Sequence, residues 1–345
     1  MTSQPIRTAV AGFGLSGSVF HTPFIASNPP AYELAVIATS DEARQTKAKE
    51  RYPATQIVNT PPQDILHWPT NWTSSSWAPP PATHFPPLAK AALEAGLDVV
   101  VDKPFTVRSA EGEELIQLAA KLGRVLTVYQ NRRWDGDSLT VKKLLDAGTL
   151  GTVTRFEVGM ERWAPEIAKA GKPVPRRKTA VVSCSISART SLISLSGSLG
   201  RPPSPSQKSR PAAPQESADD DVFLALQHES GVVSHVTINL NSHLHGPRFR
   251  ILGTEGGFVK FGTDPQEPYV LRGGLPKDAE YGVEPPENHG TLERNGQRTT
   301  IPPTERGAYP RVLPHAGGKA RRRRHRLRTS STGGSGRLRC GAEAD

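Results

Sequence analysis

The chain has 345 residues, 22% of them charged and 36% hydrophobic, and carries a net charge of +10. That length suggests about two domains with sizeable cores, and the lack of any window near ~18 consecutive apolar residues excludes a membrane span. Cys184 and Cys340 give neither a metal pattern nor a disulfide framework, and Met1 to Pro5 is too short and polar for a signal peptide, so a cytoplasmic protein without a resident metal is expected.

In chain order, Ile6 to Gly17 reads IRTAVAGFGLSG, an apolar run leading into Gly12, Gly14 and Gly17. This is the G-x-G-x-x-G spacing of a dinucleotide-binding turn. Gly12 permits the tight turn, Gly14 lets backbone approach a pyrophosphate, and Gly17 lets the next helix lie close on the sheet. Phe13, Leu15 and Ser16 complete the expected cradle. A helix over Ser18 to Ala26 would point its free N–H groups at the phosphates. Glu33 to Thr39 reads as a second buried strand. An NAD site commonly places an acid at its end to bind the adenosine ribose. Here stand Thr39, Ser40 and Asp41, with Arg44 and Lys47 following. Small hydroxyls and nearby cations suit a 2′-phosphate, which favours NADP, with NAD as the alternative; the bland reading is a solvated helix face.

Gln56 to Asn59 makes a short strand and Asp64 to His67 a helical turn. The pattern then breaks, because Asn71 to Ala78 reads NWTSSSWA where a buried apolar strand is needed. Leu88 to Ala95 forms a helix closed by Gly96. Asp98 to Val101 is a strand delivering Asp102, Lys103 and Pro104. Ser109 to Leu122 fits a helix with Ser109 as N-cap. Arg124 to Tyr129 is a strand ending near Asn131, Arg132 and Trp134, where open α/β sheets bind ligands. Leu139 to Ala147 is helical and ends at Gly148.

From Gly151 the period becomes that of half-buried strands, with Thr152, Thr154, Phe156 and Val158 on one face. Val222 to Leu226 and Val232 to Leu240 read as an antiparallel pair around His228 to Gly231. Phe249 to Leu252 and Phe258 to Phe261 make another around Thr254 to Gly257. His243 and His245 read as surface residues. The fold class is α/β: an N-terminal Rossmann dinucleotide-binding domain over 1–130, then an α+β domain with an open, mostly antiparallel sheet over 131–310. Residues 173–214 are irregular, and 311–345 form a basic tail expected to be disordered. Residues 176–210 carry seven Lys/Arg and no acid, and 311–345 carry ten Lys/Arg against Glu343 and Asp345. The remainder sums to −5. The Arg321 to Arg324 run lacks interleaved aromatics, so no nucleic-acid partner is expected.

These motifs resemble the glucose–fructose oxidoreductase/inositol dehydrogenase family, Gfo/Idh/MocA. The matching pieces are GFGLSG at Gly12 to Gly17, PATHF at Pro81 to Phe85 and DKP at Asp102 to Pro104. QNRRWD at Gln130 to Asp135 and ILGTEGGFVKFG at Ile251 to Gly262 add to them. The resemblance, strongest to the NADP-type scyllo-inositol dehydrogenase branch, implies hydride transfer between nicotinamide and a polyol, inositol or sugar. It makes Lys103 the catalytic amine, which stabilises an alkoxide or relays its proton. It places His84 near the nicotinamide ribose, a capping or packing role being the alternative. Asn131, Arg132 and Trp134 become substrate-binding, with an internal Arg132–carboxylate pair as the bland alternative. It also implies a homo-oligomer associating through the C-terminal sheet.

The chain departs from this pattern at three places. The family's Gly-rich turn and Asp-x-Gly-x-His helix start, which supply an acid/base histidine and its aspartate, are missing between Lys172 and Pro214. Plausible codons for Ala180 to Leu199, shifted by one register, spell that motif. Shifted codons for Trp72 to Ala78 spell Asp-Leu-Val-Val-Val-Gly, and Arg311 to Ala320 shifts to a family-type helix. The reading is therefore of family sequence translated partly out of frame, with Arg189 and Thr190 standing where the histidine belongs. The functional alternatives are a non-catalytic nucleotide-binding protein or an inactive frame-shifted relative.

Overall fold

Short apolar runs without alternation, such as Ala9–Ala11 and Val99–Val101, suit strands covered on both faces. In the computed structural model they form the middle of a parallel sheet. It describes residues 4–67, 74–77, 85–103, 105–106, 108–163, 167–169, 172–174, 206–210, 221–307 and 309. The chain forms two compact units, the first built on Met1–Gln130 and the second on Asn131–Tyr269 with Ala279–Tyr309; Val270–Asp278 goes with the first.

The first unit has six strands: β1 (Ile6–Ala11), β2 (Tyr32–Ala38), β3 (Gln56–Val58), β4 (Ser74–Trp77), β5 (Asp98–Val101) and β6 (Leu126–Val128). Their order is β3-β2-β1-β4-β5-β6, with every pair parallel. This is the Rossmann order, and the chain reverses its winding between β1 and β4, opening a crevice at their carboxyl ends. Helices α1 (Thr22–Ala26), α2 (Glu42–Arg51), α3 (Phe85–Glu94) and α4 (Ser109–Leu122) connect the strands. Leu88, Ala92 and Leu93 of α3 and Leu115 and Ala119 of α4 share a core with Ala9, Val36 and Val99.

Several boundaries differ from the sequence pattern. The expected break at 71–78 contains β4, with Ser75 in register between Ala9 and Val99. Without a strand there, the facing N–H and C=O groups of β1 and β5 would lose their partners, and that demand overrides β-propensity. The first helix is split into a π-helical turn (Ser16–His21) and α1, because Pro23 has no N–H to continue one ladder. Arg108, not Ser109, occupies the N-cap position of α4, without a side-chain cap. Its far end closes on Gly123 in the left-handed conformation at φ 64°.

The second unit carries α5 (Gly136–Asp146) and an eight-stranded sheet. Its strands are β7 (Val153–Glu161), β10 (Ser206–Arg210), β11 (Asp221–Gln227), β12 (Val233–Asn239), β13 (Phe249–Gly253), β14 (Gly256–Lys260), β15 (Gly290–Arg294) and β16 (Gln297–Ile301). The order is β10-β11-β12-β7-β13-β14-β15-β16, and only the β12–β7 pair is parallel. A separate hairpin joins β8 (Ile167–Lys169) and β9 (Lys172–Val174). Alternation holds where it was read: Val232, Ser234, Val236, Ile238 and Leu240 are all buried. The four apolar ones pack with Phe156, Phe249, Ile251 and Val141 of α5 into one core. α5 begins three residues before the expected Leu139, since the Asp264 carboxylate accepts the Gly136 N–H at 2.6 Å. The short helix α6 (Gln266–Leu271) and the β15–β16 hairpin went unread. The hairpin turns on Asn295 and Gly296, both at positive φ (53° and 74°), as an Asn-Gly turn requires.

Candidate active site

Gly12 leaves β1 at φ 99°, a conformation that favours glycine, and its N–H donates to Ala38 O at 2.8 Å, holding the turn against the end of β2. Phe13 is buried edge-on to Tyr52, whereas Leu15 is exposed. A Cβ at Gly14 would lie 3.8 Å from the Arg44 guanidinium. The turn thus offers bare backbone with a cation beside it, a donor set that fits a dinucleotide phosphate. Gly17 is buried, and its carbonyl accepts the Thr22 hydroxyl at 2.9 Å.

At the end of β2, Thr39 is buried and Ser40 exposed. Asp41 N-caps α2 by accepting the Arg44 N–H at 2.9 Å, and Glu42 stands in the helix's first turn. Its other oxygen lies 3.6 Å from Arg44 Nε, with both side chains about half exposed. The carboxylate is occupied with the helix terminus and the guanidinium remains beside the glycine turn.

Asp102 and Lys103 follow directly from β5. Asp102 Oδ1 accepts the Lys103 N–H at 2.7 Å, while Oδ2 accepts a hydrogen bond from the Ser16 hydroxyl. His21 Nε2 lies 3.7 Å from the same Oδ2. His21 is fully buried, its ring centroid 4.5 Å from that of Tyr129. Lys103 is half-buried. The glycine turn and the lysine turn are therefore brought together by Ser16, a link that motif spacing did not reveal. His21 was also missed, because a single histidine after a glycine motif has no periodic signature. Pro104 and His84 lie outside the described residues, as do Arg189 and Thr190.

In the second unit, Asn131 is buried and heads a 3-10 turn, Asn131–Trp134. Arg132 donates to Glu267 at 2.5 Å and to Asp135 at 3.4 Å, so its guanidinium sits on carboxylates of its own chain. The Trp134 carbonyl accepts from Gln266 Nε2 at 3.1 Å. Around the start of α5 these groups join Asp137, which faces Arg248 Nε at 3.6 Å, and Asp264 in a buried polar network. Burial pushes Asp135 up to about 6 against the pull of Arg132, and pushes Asp264 well above the usual carboxylate range. A cavity of about 660 Å³ on this unit is lined by β13–β16. Its Arg250, Arg294 and Arg298 are engaged by Glu157, Glu255 and Glu293 respectively, so its charge is internally satisfied. His243 is exposed, as read, and stacks on Trp163 with centroids 3.6 Å apart. No helix among the described residues is long and apolar enough to cross a membrane, and no group of three metal-ligating side chains occurs among them.

Comparison with known proteins agrees with this geometry. The oxidoreductase-family model with an NAD-binding Rossmann fold matches residues 6–130, and the GFO/IDH/MocA C-terminal domain model matches 138–259. The uncharacterized oxidoreductase YdgJ of Escherichia coli is 37% identical over 280 residues, which cover 79% of this chain and 75% of the relative. The NADP(+) scyllo-inositol 2-dehydrogenase IolW of Bacillus subtilis is 29% identical, with 88% and 83% covered. A Bacteroides fragilis protein solved by crystallography superposes with TM-score 0.76 at 32% identity, with 89% and 86% covered.

Proposed function

The chain belongs to the Gfo/Idh/MocA oxidoreductase family, and we propose that within it the chain transfers hydride between NADP and a polyol, inositol or sugar. The observation that carries this reading is the Ser16–Asp102 contact, which joins the dinucleotide turn to the lysine turn across one crevice. The residues fit the cofactor: Gly12, Phe13, Gly14, Leu15, Ser16 and Gly17 would hold the pyrophosphate. Thr39, Ser40 and Arg44 would hold the 2′-phosphate, a role supported by Asp41 being turned to its helix cap. His84, Asp102 and Pro104 would flank the nicotinamide. When bound, the nicotinamide accepts or returns the hydride at C4. Lys103 then holds the substrate oxygen, stabilising its developing charge and passing its proton.

Substrate contact and association through the sheet are assigned to the second unit. Asn131 and Trp134 are the candidates for substrate there, while Arg132, already engaged by Glu267 and Asp135, supports their turn. IolW acts on scyllo-inositol with NADP(+), which makes inositols the first substrates to try. NADPH and NADH titrated by fluorescence, followed by turnover assays with inositols and sugars, test the reading. Tighter binding of NADPH with measurable polyol oxidation is expected; no binding of either nucleotide overturns it.

A second reading is favoured by the missing Asp-x-Gly-x-His motif and by Ser-Ser-Ser-Trp standing in a central strand. Under it, the frame-shifted chain binds the nucleotide and barely turns over. Losing a general base costs about 10²- to 10⁴-fold. Nucleotide binding without turnover, together with a gene whose clean reads show the shift, selects this reading.

A further inference from the structure

Asp102 holds two elements at once. One oxygen accepts its neighbour's N–H, which fixes the backbone at Lys103. The other accepts the Ser16 hydroxyl from the glycine turn and faces His21. His21 has little freedom to leave: it is fully buried, and its ring lies against Tyr129, which is also fully buried. Tyr129 is itself tied to β5, its N–H donating to Val101 O at 2.8 Å. Below it, Thr22 bonds both Gly17 O and the Tyr52 hydroxyl. The two turns are thus joined by a side-chain bridge 86 residues long in sequence and one carboxylate wide in space.

We propose that Ser16, His21 and Asp102 are positioning residues that couple occupancy of the dinucleotide turn to the placement of the Lys103 amine. The inference rests on the reading of Lys103 as the group beside the nicotinamide. Ser16 stands where the glycine turn meets the phosphates, so a bound dinucleotide fixes the turn that carries it. Fixing Ser16 fixes Asp102, and Asp102 fixes the Lys103 N–H. His21 also borders that carboxylate, its Nε2 3.7 Å from the oxygen that accepts the Ser16 hydroxyl. Losing the Ser16 contact displaces the amine from the nicotinamide, so NADPH binding weakens by about tenfold.

A double-mutant cycle on NADPH affinity in the full-length protein tests the coupling. Ser16→Ala and His21→Asn are each measured alone and together with Lys103→Met. If the bridge acts through the lysine, each loses affinity about tenfold alone and less than about twofold in the Lys103→Met background, because contacting groups in one network are not additive. Ser16→Thr, which keeps the hydroxyl, restores binding. Equal losses in both backgrounds mean a merely structural role or a direct phosphate contact, and overturn the inference alone. Should His21→Asn fail to fold, the Ser16 cycle still decides. Absence of NADPH binding by the unmutated chain overturns both the proposed function and this inference.

Discussion

The two units treat polar side chains in opposite ways. In the first, few ionisable groups meet at the strand ends, and Arg44 and Lys103 stay at least partly open to solvent. In the second, the denser cluster of Asp135, Asp137, Asp264, Arg132 and Arg248 is largely sealed around the start of α5. Concentrated, perturbed charge is often a sign of chemistry. Here the stronger perturbation accompanies helix capping and internal ion pairing, while the site proposed for chemistry is the sparser one. Position at the carboxyl ends of a reversing sheet separates the two more reliably than titration behaviour does.

The contrast can be broken at either end. Lys103→Met should lower polyol turnover by about 10²- to 10⁴-fold with little change in melting temperature; a large loss of stability instead would make Lys103 a structural residue. Asp135 should do the opposite. Its carboxyl rises from 3.8 to about 6 on folding, so the folded state binds the extra proton between those values. Its contribution is fully present below pH ~4 and is lost as pH rises through ~6. Asp135→Asn should therefore gain about 1–3 kcal/mol on the parent between pH 4 and 7, read by denaturant unfolding, with NADPH affinity unchanged. Arg44→Ala sharpens the comparison within the first unit: NADPH should bind about tenfold more weakly and NADH no differently. Equal losses for both nucleotides would assign Arg44 to the pyrophosphate. The smallest expected effect is Ser75→Val, which should stabilise the parallel sheet by up to about 1 kcal/mol through strand propensity and leave nucleotide affinity alone.

Much of the first unit was legible because each of its signals is local. The glycine turn, the Asp102–Lys103 turn and the Gly96 helix end are all set by neighbouring residues. β4 was not legible, since a four-residue strand of Ser-Ser-Ser-Trp is specified by the strands on either side of it. The start of α5 was missed for a similar reason: its cap comes from Asp264, 128 residues downstream. The β15–β16 hairpin was within reach, as Asn295-Gly296 is the strongest short turn signal in the chain. Within the site, the glycines could be read from spacing, whereas Ser16 and His21 acquired a partner only through the fold. The family's Asp-x-Gly-x-His motif is missing from the sequence itself between Lys172 and Pro214, so that departure was legible without the fold.

The single parallel pairing in the larger sheet has a practical corollary. Glu161, Asn239 and Asp221 stand side by side in one row, at the end of β7, the end of β12 and the start of β11. Two inter-strand spacings, roughly 10 Å, therefore separate the exit of β7 from the entrance of β11. A few glycines would cover that distance. Surgery that trims the chain from just past Glu161 to just before Asp221 removes β8, β9 and β10 and leaves β11 as an edge strand, while the pairings among β11, β12, β7 and β13 are kept, giving engineers a minimal scaffold on which to graft an intact relative's segment.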